Sequence, residues 1–227
     1  MSNNKAFTMV ELVFVIVVVG ILSAIFVPRM QGDRLQEAAD QVISHIRYTQ
    51  HLAMVDDRFD PNDNEWYKER WQIMFTRQKV TEGDEKVYWG YLIFSDTSAG
   101  HSGKAELKEI AVNPLDRSKK LVGGSSTMVM GARYNGANVT NNMNLEKIYG
   151  VTDIKFDTSC SPGGTARRIA FDYLGRPMKG DISSLSRSYD TNHMITKPCL
   201  ITLFAGRADN NITISVEPET GFAQIVP

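Results

Sequence analysis

The sequence predicts an α+β fold in which one long N-terminal α-helix packs on a head made mainly of antiparallel β-sheet. Residues 7–27 form an apolar run, and residues 35–53 repeat apolar side chains at helical spacing. From residue 71 onward, runs of aromatic and β-branched residues alternate with turn-forming residues. Without the apolar run, about 200 residues remain, which is enough for one domain with a buried core.

The apolar run has the length of a transmembrane helix. As a helix, residues 7–27 span roughly 31 Å at ~1.5 Å per residue, which matches a ~30 Å hydrocarbon core. A secretory signal peptide with Lys5 in its basic region and a plain single-pass anchor are the two simple alternatives. Neither explains Glu11, the single charged side chain between Ala6 and Pro28, because a carboxylate at membrane depth is costly.

The helix is predicted to continue beyond the membrane. Its apolar stripe recurs at spacings of 4, 3, 4 and 7 residues and comprises Leu35, Ala39, Val42, Ile46 and Ala53. We expect this stripe to pack on the head and the helix to end near Asp56 and Asp57, before Pro61. Pro28 lies mid-helix, where a missing N–H is expected to kink or loosen the helix.

The head is predicted from six segments with strand character. They are residues 71–77, 87–96, 151–157, 167–175, 199–206 and 211–226. The last contains a hairpin whose turn is PETG at 218–221. Residues 57–70 are predicted to form a polar loop, and the short apolar runs between residues 97 and 149 fit either strands or irregular connections.

Composition and motifs argue against an enzyme, a metal site or a cofactor. The net charge of −1 gives no support to electrostatic attraction for nucleic acid or anionic lipid. His45 and His51 are six residues apart, a spacing that does not place two metal ligands on one helix face. The D-x-N-x-N spacing at residues 60–64 lacks the glycine and the glutamate of a calcium loop. His101 and His193 fall in polar loops.

Nucleic acid is not an expected partner. The basic side chains of the C-terminal third that could form a patch are Arg167, Arg168, Arg176 and Lys179. Acidic residues nearly balance the basic ones over residues 160–227, whereas non-specific DNA binding requires several cations on one face.

The segment KAFTMVELVFVIVVVGILSAIFVP closely resembles the N-terminal signature of type IV pilins and type II secretion pseudopilins. In that family, prepilin peptidase cuts a short basic leader before a phenylalanine, which is then N-methylated. The resemblance implies cleavage between Ala6 and Phe7, with Glu11 as the fifth mature residue. Gly20 and Pro28 match the family's helix-loosening positions. Ala6 departs from the family, which usually has glycine there.

The resemblance also implies a partner for Glu11. Cleavage creates a positive amine on Phe7, and in a filament this amine can lie beside Glu11 of a neighbouring subunit. Removing one member of a buried ion pair costs on the order of 3–5 kcal/mol, so the pairing would select the axial stagger of the subunits.

A second, weaker resemblance links RRIAFDYLGRP and the sequence from residue 201 to the C terminus with minor pseudopilins and FimT-like minor pilins. Together the resemblances imply a pilin-like fold with a leader at 1–6, a transmembrane and filament-core helix at 7–28 and a periplasmic globular domain at 29–227. The implied partners are other pilin or pseudopilin subunits, prepilin peptidase and the inner-membrane assembly platform.

The implied function is that of a structural subunit, a minor pseudopilin or minor pilin, in a type II secretion pseudopilus or a type IV pilus. It would be an inner-membrane protein with its head in the periplasm until it enters the filament. A DNA-uptake or adhesive minor pilin is one alternative. A membrane-anchored periplasmic binding protein that does not polymerise is another.

The two cysteines, Cys160 and Cys199, are predicted to form a disulfide bond. Lys5 and the leader stay cytoplasmic, so the chain after Pro28 lies on the oxidising side of the membrane. The bridge would tie residues 180–197, the least core-like part of the head, to the sheet. Two buried thiols acting as small apolar side chains are the alternative.

Overall fold

The computed structural model describes residues 9–80, 85–130, 138–161 and 166–226, and their side chains except those of 24–33 and 130. Helix α1 (Met9–Val55) comes first and is followed by β-structure and one short helix, α2 (Leu145–Tyr149). The strands are β1 (Gln72–Gln78), β2 (Tyr88–Phe94), β3 (Ala105–Glu106), β4 (Val129–Met130), β5 (Asp153–Phe156), β6 (Arg168–Phe171), β7 (Pro177–Lys179), β8 (Cys199–Ala205), β9 (Arg207–Val216) and β10 (Ala223–Val226). Short 3-10 helices lie at Trp66–Glu69, Leu107–Glu109, Asn141–Met143 and Ile182–Ser184.

Two four-stranded antiparallel sheets form the head. Sheet 1 has the order β2-β1-β6-β7 and sheet 2 the order β10-β9-β8-β5. In sheet 1, Ile73 lies between Ile93 and Ile169. A short parallel pair, β3 with β4, lies outside them. The predicted α+β class with a mainly antiparallel sheet is therefore correct.

The second half of α1 supplies one wall of the core. Its contacts reach strands β1, β6, β8, β9 and β10 as well as α2. All five residues of the predicted apolar stripe are buried, each at most 4% exposed: Leu35, Ala39, Val42, Ile46 and Ala53. Burying a Val, Leu or Ile side chain contributes about 1.5–3 kcal/mol, so this face holds the helix on the head.

Each of the six predicted strand segments contains a strand, and the hairpin turn at 218–221 separates β9 from β10. The described residues between 97 and 144 are mostly irregular, with two-residue strands, short 3-10 helices and isolated bridges. Residues 180–197, predicted to be the least core-like part of the head, include buried apolar side chains. Ile182, Leu185 and Ile195 are buried there, at most 2% exposed.

Within the described part of the chain, no helix is both long and apolar enough to cross a membrane. The predicted span at 7–28 falls partly outside that part, which excludes residues 7 and 8 and the side chains of 24–28.

Candidate functional site on the N-terminal helix

From residue 9 to residue 23, α1 is exposed and, apart from Glu11, carries mainly apolar side chains on all its faces. From Met9 to Leu22, its large apolar side chains are 36–85% exposed: Met9, Val10, Leu12, Val13, Phe14, Val15, Ile16, Val17, Val18, Val19, Ile21 and Leu22. A helix that is apolar all round is stable when other apolar groups surround it, in a core or in a membrane. The described head packs on the second half of α1, so the first half has to find this environment elsewhere.

The predicted site residues lie along this exposed half. Ala6 and Phe7 lie outside the described residues. Glu11 is exposed in the first turn of α1, where a negative charge suits the positive end of the helix dipole. A Cβ on Gly20 would meet no atom within 4 Å, so packing within the chain does not require glycine there. The helical backbone continues through Pro28.

A chain of polar side chains fixes the second half of α1 to the head. The Tyr149 hydroxyl donates to Oε1 of Gln41 at 2.7 Å, and Nε2 of Gln41 donates to the Tyr91 hydroxyl at 2.7 Å. The Tyr91 hydroxyl in turn lies 2.6 Å from Nδ1 of His45. Burial lowers the pKa of His45 to about 4 and raises the pKa of Tyr91 well above its usual range. The network therefore contains a neutral histidine.

Farther along α1, two side chains bind the C-terminal hairpin. Nε2 of Gln50 donates to the carbonyl oxygens of Gly175, at 2.8 Å, and Thr220, at 2.6 Å. Arg47 donates to the Ala223 carbonyl oxygen at 2.8 Å, and its guanidinium carbon lies 5.4 Å from the centre of the Phe222 ring. The helix is thus joined to residues near the end of the chain.

The structure joins Cys160 and Cys199 in a disulfide bond, with their Cα atoms 5.2 Å apart. Both cysteines are fully buried. Asp157 reinforces the junction, because its carboxylate accepts from the Leu200 N–H at 3.1 Å. The bond connects the segment after β5 to the first residue of β8.

Two of the four basic residues considered for nucleic acid, Arg168 and Arg176, form ion pairs with acidic side chains of the head. Arg168 is 6% exposed and is 3.1 Å from Asp181 in an ion pair. Arg176 forms an ion pair with Asp172 at 2.8 Å. These two cations are therefore not available to neutralise phosphates.

Reasoning from the sequence did not find Gln41 or Gln50 and treated His45 only as a possible metal ligand. The signal available was spacing: Gln41 and His45 are four residues apart, on the same helix face. Their partners, Tyr91 and Tyr149, are far away in sequence, so the network becomes visible only in the fold.

Comparison with known proteins bears on the N-terminal segment. Residues 1–27 match the family model described as the prokaryotic N-terminal methylation motif. No curated protein and no solved structure gives a match. The motif marks a structural, usually non-enzymatic family whose members are processed by a peptidase and assemble with other pilin subunits. The chain carries the N-terminal signature of type IV pilins and pseudopilins.

Proposed function

We propose that the chain is a minor pseudopilin or minor pilin, a structural subunit of a type II secretion pseudopilus or a type IV pilus. Prepilin peptidase cuts it before Phe7, and the new terminus is N-methylated. The subunit waits in the inner membrane with its head in the periplasm and then joins the filament. Cys160 and Cys199 form their disulfide in that oxidising compartment.

One observation carries this proposal: the methylation motif at 1–27 overlaps helix α1, which is exposed and mainly apolar over residues 9–23 and is built into the head in its second half. A membrane and a filament core both surround such a half-helix with apolar groups. The same surface therefore suits storage in the bilayer and packing against neighbouring subunits.

Glu11 provides specificity in this proposal. Apolar surfaces slide past one another with little preference, whereas a buried carboxylate requires a cation at a defined height. The amine of Phe7 on a neighbouring subunit is that cation. Gly20 and Pro28 let the helix adapt its backbone as the filament forms.

The intact mass of the membrane-extracted protein tests the proposal. The expected mass corresponds to a chain that starts at Phe7 and carries one methyl group. Replacing Ala6 by Gly should keep or speed processing, and replacing it by Phe should stop processing, because the peptidase requires a small residue before the cut. A mature chain that starts at Met1 or after Ala24 would contradict the proposal, and an uncut leader would favour a non-polymerising periplasmic binding protein.

A further inference from the structure

Three side chains capable of binding a metal meet on the head. Asp63, Glu69 and His101 each offer one ligand atom, and these atoms all lie within 4.8 Å of one another. Asp63 and Glu69 belong to the connection between α1 and β1, whereas His101 follows β2. All three are partly buried. The fold thus brings together two carboxylates and an imidazole from two separate segments.

The imidazole of His101 is oriented as a ligand. Its Nδ1 lies 3.0 Å from the backbone carbonyl oxygen of Asp96. A carbonyl oxygen accepts and cannot donate, so Nδ1 carries the proton and Nε2 keeps a free lone pair. Histidines that bind metals characteristically donate their other ring N–H to such an acceptor, which fixes both the tautomer and the ring.

Both segments are held in place beside each other. The Ser95 hydroxyl donates to the carbonyl oxygen of Glu69 at 2.5 Å, which fastens the end of β2 to the 3-10 helix. The Gly103 N–H donates to Oδ2 of Asp96 at 2.8 Å and closes the loop that carries His101. Asp63 uses Oδ1 to accept from the Glu65 N–H at 2.8 Å, which leaves its other oxygen for a ligand.

The buried carboxylate of Asp96 interacts electrostatically with two of the three side chains. Asp96 is 1% exposed, and its Oδ1 has no hydrogen-bond partner among the described residues. Its charge acts on both Glu69 and His101, and Asp63 adds a further repulsion on Glu69. Arg58 also faces Glu69 but is engaged with Asp56 at 2.5 Å. An orphan buried oxygen in a native fold calls for an ion or a bound water.

We propose that Asp63, Glu69 and His101 bind one divalent first-row transition metal ion such as Zn²⁺. Two carboxylate oxygens and one imidazole nitrogen suit this class, whereas Ca²⁺ and Mg²⁺ take oxygen ligands. At metal–ligand bond lengths of about 2.0–2.2 Å, the ligand atoms around one ion lie roughly 3–3.5 Å apart. Side-chain rotations that move the ligand atoms by roughly 1–2 Å would therefore bring all three within bonding distance of one ion. Three protein ligands leave a fourth position of the ion for water.

The test uses the full chain, extracted in detergent and stripped with a chelator. Dialysis against ZnCl₂ followed by elemental analysis measures the stoichiometry, and thermal denaturation measures the effect of zinc on Tm. We expect one zinc per chain and a Tm that rises with zinc concentration. Glu69→Gln and His101→Asn should each weaken binding at least tenfold and abolish the rise in Tm.

The variants keep the test decisive. Asn tolerates the left-handed backbone at residue 101, where φ is 37°, and Gln preserves the shape of Glu69. His51→Asn, on the exposed face of α1, is the matched control and should bind zinc like the wild type. Absence of zinc from the wild type would overturn the proposal. So would binding that survives both substitutions, which would place the ion elsewhere, or a Tm response to CaCl₂ in place of ZnCl₂.

Discussion

The hydroxyl of Tyr91 lies 2.6 Å from Nδ1 of His45 and joins the middle of β2 to the buried face of α1. The same hydroxyl accepts from Nε2 of Gln41 at 2.7 Å. Its own hydrogen is therefore directed at His45, whose Nδ1 accepts, and the network assigns the imidazole proton to Nε2. Protonating Nδ1 would place two donors, the imidazole N–H and the Tyr91 O–H, opposite each other in a buried site.

This pairing predicts that acid weakens the packing of α1 on the head. Burial lowers the pKa of His45 from 6.5 to about 4, so between these values the unfolded chain binds a proton that the folded chain does not. Stability is therefore complete above pH 6.5 and is lost as the pH falls toward 4. The contribution is on the order of 3–4 kcal/mol at ~1.4 kcal/mol per pKa unit.

Urea denaturation of the detergent-extracted chain at several pH values between 4 and 7.5 measures this effect. His45→Gln keeps an acceptor for Tyr91 but cannot titrate, so its free energy of unfolding should vary less with pH than that of the wild type. His51→Gln should retain the wild-type profile. Equal slopes for His45→Gln and the wild type would contradict the assignment.

A second prediction concerns the contact between Gln50 and the hairpin. Gly221 has φ of 65°, and a Cβ there would lie 2.6 Å from Nε2 of Gln50 and 2.7 Å from the Gly175 carbonyl oxygen. Gly206 has φ of 77°, with no atom within 4 Å of a Cβ. Both Ala substitutions pay about 1 kcal/mol of backbone strain. Gly221→Ala should cost roughly 2 kcal/mol more, because it also separates Gln50 from its acceptors.

Thermal or urea unfolding of both glycine variants provides the measurement. The difference between them isolates the helix–hairpin contact from the strain that they share. If Gly206→Ala is as destabilising as Gly221→Ala, the close approach of Gln50 to Gly221 does not contribute to the free energy of unfolding.

A third prediction concerns the cysteines. The bond between Cys160 and Cys199 spans a sequence separation of 39 residues. Replacing both by serine should lower the free energy of unfolding by roughly 3–4 kcal/mol on the loop-entropy estimate. Thiol counting in denaturant without reductant should find no free thiol in the wild type, which should run as a monomer on a non-reducing gel. Two free thiols per chain would refute the bond in the native protein.

The fourth prediction addresses assembly. Glu11→Val should leave cleavage and membrane insertion intact but reduce the amount of subunit in purified filaments, because in the proposed pairing the amine of a neighbour loses its buried partner. Glu37→Val removes an exposed carboxylate from the second half of α1 and is the matched control. Immunoblots of membrane and filament fractions compare the variants. Equal incorporation of Glu11→Val and the wild type would contradict the proposed pairing between Glu11 and the amine of a neighbouring subunit.

Features set by local pattern were predictable. The apolar stripe from Leu35 to Ala53 and the strand segments depend on period alone, and the structure has them where the sequence places them. Features that join distant residues were not. Gln41 meets Tyr149 across 108 positions, and His101 comes to Glu69 through loops without periodicity. The sequence between residues 97 and 149 did not distinguish strands from irregular connections, because the strands described there, β3 and β4, are only two residues long.

The contact between Arg47 and Ala223 spans 176 positions, so it can form only after the C-terminal hairpin has been synthesised. Strands β9 and β10 are made last, yet they cover the helix that is made first. Closing a loop over such a distance costs chain entropy, and contacts between residues far apart in sequence slow folding. The apolar stripe of α1 therefore lacks this cover until the hairpin has been synthesised, and the incompletely folded chain exposes apolar surface that can aggregate.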